Sequence, residues 1–382
     1  MPSFYWFTLR LSQFLGGFLS VALTMTTVTG SEQGLDYVDV YTAGMNGYHC
    51  YCIPTIEVTP NGTLLAFSEG RLQDDEDPGM LATQDVDLIL KRSTDGGRTW
   101  SEMEIFANPG KFWSAANAST VVDRDTGKVW VIYLRGKPGR NTLTSRPGTY
   151  DTMTIARWSD DNGMTWSDPI DLTAIARNMQ DENWTASCPG PGGGIQTRNG
   201  RLIIPCWKFP WHTFALYSDN HGKNWHRGEL VPGGNVGNEC QLVELANGQI
   251  MMDMRQTKGP RRKALSSDGG ITWSTVEDFL PITQCACAIE RLTLESNDEI
   301  NRILWTGPKG PGRVTLMGRI SYDEGKTFTP GQVIYKDKAG YSDLVLLNDN
   351  NVGCLWERNN CRFMSFTLLP LKAMEPDGPP KE

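Results

Sequence analysis

Histidine is scarce, with four residues in 382, and positive charge is in deficit, with 36 Lys and Arg against 44 Asp and Glu for a formal net charge of −8. The first scarcity leaves His49, His212, His221 and His226 scattered, with no spacing that builds a metal-ligand cluster. No metal or organic cofactor is expected. The second argues against a polyanion-binding surface, so nucleic acid is not an expected partner. The densest basic run, Lys258-Gly-Pro-Arg-Arg-Lys263, reads as a solvated loop. Long apolar runs are missing too. After the first thirty residues nothing is long or apolar enough to cross a bilayer. Helical pattern is interrupted throughout by 40 Gly and 22 Pro. One short helix, around Leu172 to Met179, is all the pattern supports.

The N-terminal layout is that of a signal peptide over residues 1–30. Arg10 is its one positive charge, the apolar segment Phe14 to Leu23 follows, and small and polar residues run on through Gly30. A secreted or periplasmic protein is expected, with no membrane attachment after cleavage. Residues 31–370 read as one closed repeat architecture, and 371–382, ending Glu375-Pro-Asp-Gly-Pro-Pro-Lys-Glu382, as a flexible tail. Nine cysteines is an odd number, so at least one is unpaired or bonds another chain. Cys50-Tyr-Cys52 and Cys285-Ala-Cys287 each place two thiols on one strand face, where neither pair bridges itself easily. Buried or disulfide-bonded cysteines are favoured over a metal site. Asn61, Asn117 and Asn183 open glycosylation sequons. Oligomeric state is not legible.

What the chain has in abundance is one recurring turn. Ser93-Thr-Asp-Gly-Gly-Arg-Thr-Trp100 is followed by Ser159-Asp-Asp-Asn-Gly-Met-Thr-Trp166, Ser218-Asp-Asn-His-Gly-Lys-Asn-Trp225, Ser266-Ser-Asp-Gly-Gly-Ile-Thr-Trp273 and Ser321-Tyr-Asp-Glu-Gly-Lys-Thr-Phe328. Serine and aspartate bond nearby backbone N–H groups, and glycine supplies a positive φ. Threonine is expected to restart a strand, and the aromatic to bury itself. The intervals of 66, 59, 48 and 55 residues suit one four-stranded sheet per repeat. Between the turns lie runs such as Val129-Trp-Val-Ile-Tyr133 and Gln249-Ile-Met-Met-Asp-Met254, which read as strands. The fold class is therefore all-β, a β-propeller.

This repeat resembles the Asp-box of the sialidase superfamily. More specific motifs accompany it, in the order seen in exo-α-sialidases: Cys52-Ile-Pro54, Leu64-Leu-Ala-Phe-Ser-Glu-Gly-Arg71, Gly190-Pro-Gly-Gly-Gly-Ile195, Asn238-Glu-Cys-Gln241 with Arg255, and Ala339-Gly-Tyr-Ser-Asp-Leu344. The resemblance runs from about His49 to Leu369. It implies a six-bladed propeller whose active site lies at one end of the axis, with sialylated glycans, glycoproteins or glycolipids as partners.

A sialic acid carries a carboxylate on its anomeric carbon, which calls for guanidinium forks. The resemblance implies three arginines. Arg255 matches the second and Arg313 the third, but Cys52 stands where the family places the first. His49 or a nearby Lys or Arg is one candidate to compensate, and Arg71 one candidate to approach the vacated place. The same carboxylate repels an anionic nucleophile, and sialidases use tyrosine instead. Tyr341 matches that nucleophile and Glu239 the base beside it. The general acid falls in the run Asp74-Asp-Glu-Asp77; Asp77 is chosen and Asp75 is second. Trp113, Trp184, Trp207 and Trp211 are candidates to face the sugar's side chains. Two other readings stay open: a non-catalytic propeller that binds acidic glycans, and a glycosidase for a different sugar.

Overall fold

A computed structural model describes residues 34–378 apart from 283, 295–299 and 349. The expected signal peptide and the last four residues of the expected tail lie outside the described residues. Strands dominate, and the helices are single turns at Thr173–Ala176 and Leu371–Met374. The first is what remains of the helix expected around Leu172 to Met179. It stops because Arg177 is extended (φ −125°) and its buried guanidinium bonds the Thr152 and Thr185 carbonyls.

The chain folds by antiparallel meander. Strands Cys50–Val58, Leu64–Arg71, Val86–Ser93 and Glu104–Ala107 pair in order, and Ser114–Asp123, Lys128–Gly136, Thr152–Ser159 and Ile170–Asp171 do the same. A parallel bridge, Val86 to Ser114, joins these two runs into a nine-stranded sheet. Leu202–Lys208 and His212–Ser218 centre a five-stranded sheet, and Cys240–Glu244 to Glu277–Asp278 form a four-stranded one. In the last sheet the 17-residue strand Gln332–Asn348 changes partner: Lys338 pairs back to Val314, whereas Ala339 pairs forward to Arg358. The N-terminal strand Val38–Thr42 adds to Phe363–Pro370, so the first described strand completes the last sheet.

Each repeated turn links the third and fourth strands of such a run. Ser93 Oγ accepts from Gly97 N (2.8 Å) and donates to Asp95 (2.8 Å), whose carboxylate takes Thr99 N and Oγ1. The pattern recurs around Ser159, Ser218, Ser266 and Ser321, with Asn220 in the aspartate's place at the third. Threonine does not restart a strand as expected, since the next one begins at Glu104. It closes the turn onto the aspartate instead. Trp100, Trp225 and Trp273 are buried. Trp225 packs with Trp130, Ile132, Ile204 and Phe214 between two neighbouring sheets, which is where the cores lie.

The innermost strands are tied together by two side chains. Asp343 accepts from Ile56 N (2.8 Å), Gly193 N (3.2 Å) and Gln241 Nε2 (2.8 Å), and Gln241 Oε1 accepts from Ile289 N (3.1 Å). A Cβ on Gly192 would lie 1.9 Å from Gln241 Nε2, and its φ is +98°, so glycine is required there. The expected tail does not begin at 371. Met374 is buried in the last core, and Glu375 accepts from Arg302 (3.1 Å) and Tyr322 (2.5 Å).

Beyond this layer lies a cavity of about 530 Å³, lined by Glu57, Glu290 and Arg291 among others. Burial raises Glu57 to about 7, Glu290 to about 8 and Asp343 to about 6. From about pH 4.5 these groups hold protons that the unfolded chain has released, Asp343 up to about 6, Glu57 to about 7 and Glu290 to about 8, so stability falls as pH rises through that window. Melting temperature should be higher at about pH 5 than at about pH 8, and Glu290→Gln should narrow the gap by raising the value at the alkaline end. A wild type more stable at the alkaline end contradicts this.

Candidate active site

The opposite ends of the same inner strands surround a cavity of about 640 Å³. Three of these strands slip register there: between Cys52 and Thr55, between Ala116 and Ser119, and between Ala339 and Ser342. A bulge re-aims the side chain it carries, and the residues at these slips, Ile53, Asn117 and Tyr341, all line the cavity. Tyr341 stands two residues after the partner change at Ala339.

Tyr341 Oη donates to the Glu239 carboxylate, 2.7 and 2.8 Å from its two oxygens. Arg255 Nη1 bonds both partners, Glu239 Oε2 and Tyr341 Oη, the latter at 2.5 Å. Burial, and next the Glu239 charge, hold the phenol well above its usual range, so it rests protonated. Glu239 in turn raises Arg255, which stays a cation. Arg313 is exposed, its guanidinium carbon 4.8 Å from the Tyr341 ring centroid, and no hydrogen bond or ion pair holds that guanidinium among the described residues. Arg255 Nε and Asn238 Oδ1 are buried polar atoms without a partner among the described residues, and both residues line the cavity. Such orphans suit a polar ligand. The arrangement offers a hydroxyl with a base on it, plus two cations for an anion.

A family model described as a BNR repeat-like domain matches residues 62–354. The chain belongs to that family. A sialidase of Bacteroides fragilis is 28% identical over 372 residues, 90% of this chain and 66% of the relative. A sialidase of Micromonospora viridifaciens is 30% identical over 375 residues, 89% of this chain and 55% of the relative. Among solved structures, the Hadza microbial sialidase Hz136 matches with a TM-score of 0.78 at 26% identity, over 88% of this chain and 69% of that one. The chain thus spans between about half and two thirds of the curated relatives' length. The β-propeller reading holds.

Against this sialidase-type background the acidic loop narrows to two members, because Asp75 and Asp77 line the cavity and Asp74 and Glu76 do not. Asp74 caps Glu76 N (3.1 Å) and takes Gln84 Nε2 (2.8 Å). The loop is held by Arg71. Its guanidinium bonds the Asp75 and Glu76 carbonyls (2.7 and 3.0 Å), Asp77 Oδ1 (3.2 Å) and Glu69 Oε2 (2.9 Å from Nη2). All its donors are used within the protein, so Arg71 does not fill the first arginine's place as a free cation. His49 is exposed and does not line the cavity.

That place is taken by a disulfide. Cys52 bonds Cys361, 309 residues on, across a Cα separation of 5.1 Å, and the other seven cysteines are free and buried. Ile53 adopts φ 59°, rare for a β-branched residue, and Asn359, Asn360 and Cys361 are all left-handed. Beside the bridge sits Glu357, buried, accepting from Ile53 N (2.9 Å) and Tyr341 N (3.1 Å), with no cation in ion-pair reach among the described residues. Sequence reasoning missed Cys361 and Glu357. The expectation of buried or disulfide-bonded cysteines holds, but it named no partner for Cys52.

Of the four tryptophans, Trp207 and Trp211 line the cavity beside Leu134 and Cys188. Trp184 is buried against Phe214, and Trp113 packs on the core around Phe67 and Phe106 beneath Arg135, so neither reaches the cavity. Asn117 of the second sequon lines the cavity.

Arg71 is 4% exposed and Glu69 fully buried, whereas Asp77 is 82% exposed. Arg71→Ala strands the Glu69 charge and should cost about 3–5 kcal/mol. Asp77→Ala should cost about 1 kcal/mol or less. Denaturant unfolding of the two variants checks the contrast.

Proposed function

We propose that this chain is a secreted exo-α-sialidase that releases terminal sialic acid with retention, built as a six-bladed propeller. Six runs of antiparallel strands support the blade count, the last completed by the N-terminal strand. The signal-peptide layout and the Cys52–Cys361 bridge support export, since disulfides persist in oxidising compartments.

One observation carries the mechanism: Tyr341 Oη lies on both Glu239 oxygens and on Arg255 in one cavity. Arg255 and Arg313 hold the substrate carboxylate. As the anomeric carbon opens, Tyr341 Oη attacks and its proton passes to Glu239. Asp77 protonates the leaving oxygen. A water deprotonated by Asp77 then attacks the same carbon, and the phenol recovers its proton from Glu239. Two displacements at one carbon give retention.

A second reading is favoured by the disulfide. Without the first arginine one charge-assisted contact is lost, about 1.5–3 kcal/mol. A propeller that binds acidic glycans without turnover fits that loss, as does a glycosidase for a sugar whose acid group sits elsewhere.

Incubated with a fluorogenic α-sialoside, the wild type should release fluorophore and Tyr341→Phe should not, with its melting temperature little changed. Saturable binding without product would select the second reading. Asp77→Asn should slow sialyl-sugar substrates far more than aryl sialosides, whose leaving group needs little protonation. If Asp75→Asn shows that pattern instead, Asp75 is the acid.

A further inference from the structure

The corner of the cavity holding Cys52, Cys361 and Glu357 has chemistry that the hydrolytic reading does not use. The two sulfurs and a carboxylate oxygen of Glu357 all lie within 4.8 Å of one another. They come from two stretches of chain: strand Cys50–Val58, and strand Asn351–Arg358 with the left-handed turn 359–361 that follows it directly. All three residues line the cavity, so a solute has access.

We propose that, once the disulfide is reduced, these residues form a site for a thiophilic divalent cation, with Zn²⁺ as the probe. A dithiol or phosphine reductant supplies two electrons and the bridge becomes two thiols. Zn²⁺ then forms two Zn–S bonds and one Zn–O bond and releases both thiol protons to solvent. Tetrahedral Zn–S bonds of about 2.3 Å place ligand atoms roughly 3.5–4 Å apart, a modest separation of the two sulfurs. Three protein ligands leave the fourth position for water or another solute ligand.

Glu357 is the second observation that points to a cation. It is buried with no cation in ion-pair reach among the described residues, and the guanidinium of Arg313 feels its charge only from farther off. Each of its oxygens accepts one backbone N–H, from Ile53 and Tyr341, and keeps a lone pair free. Those two N–H groups orient the carboxylate as outer-shell donors orient metal ligands. The metal would replace the covalent link between the first inner strand and turn 359–361 with a coordinate one.

The test uses the full chain, oxidised or reduced and freed of reductant without air, titrated with Co²⁺ and Zn²⁺. A thiolate-to-cobalt charge-transfer band and chelator competition report ligation and stoichiometry independently of activity. Reduced wild type should bind one equivalent more than oxidised protein. Cys361→Ser should lose that equivalent, and Glu357→Gln should bind at least tenfold more weakly. Near-ultraviolet circular dichroism checks that each variant is folded. Equal uptake by oxidised and reduced protein overturns the proposal. So does full binding by reduced Cys361→Ser, which would put the metal on other thiols such as Cys50, whose sulfur lies 3.9 Å from that of Cys52.

Discussion

The fold and the site depend on one interaction, the buried carboxylate of Asp343 held against Gln241. Through them the inner strands carrying Ile56, Gly193, Gln241, Ile289 and Asp343 share one hydrogen-bonded layer. Tyr341 and Glu239 each stand two residues before a member of that layer, Asp343 and Gln241. Tyr341 sits at the slip just before Asp343 and Glu239 just ahead of the strand that begins at Cys240, so the pair that meets at 2.7 Å in the cavity caps the ends of the strands whose Gln241 and Asp343 meet at 2.8 Å beneath it.

The electrostatic balance of the cavity follows from which charges are already spent. Arg71 is committed to Glu69 and the acidic loop. Arg255 is committed to Glu239 and Tyr341 through one nitrogen, with its Nε unpartnered. Arg313 alone of the three is uncommitted among the described residues. On the proposed function, an arriving carboxylate would meet Arg313 first and would draw Arg255 partly from Glu239. That would leave Glu239 freer to take the phenol proton. Glu357 and the cystine line the cavity at the place where the resemblance implies a first guanidinium, so the proposed site offers fewer cations than the resemblance implies.

Much of this was legible in the chain. The five turns announced strands at regular spacing because Ser, Asp, Gly and Thr satisfy one another locally, so no distant partner had to be known. The motifs Asn238-Glu-Cys-Gln241 and Gly340-Tyr-Ser-Asp343 were recognised as motifs, and the structure shows why each pairs a cavity residue with a layer residue. What was not legible required partners far apart in sequence. Nothing near Cys52 names Cys361, 309 residues away. Trp113 and Trp184 sit beside loops in sequence, but packing turns them inward. The tail's Pro and Gly content suggested fraying, while Met374 and Glu375 find partners on the last sheet.

The central claim is that Tyr341 forms the covalent bond to the sugar. The most direct measurement is mass spectrometry of the protein after exposure to a 2,3-difluorinated sialic acid with a good leaving group, followed by peptide mapping. The account predicts one fluorosialosyl group per chain, on the peptide containing Tyr341, absent from Tyr341→Phe. A label on any other residue, or steady turnover of an α-sialoside with no label formed, would contradict it.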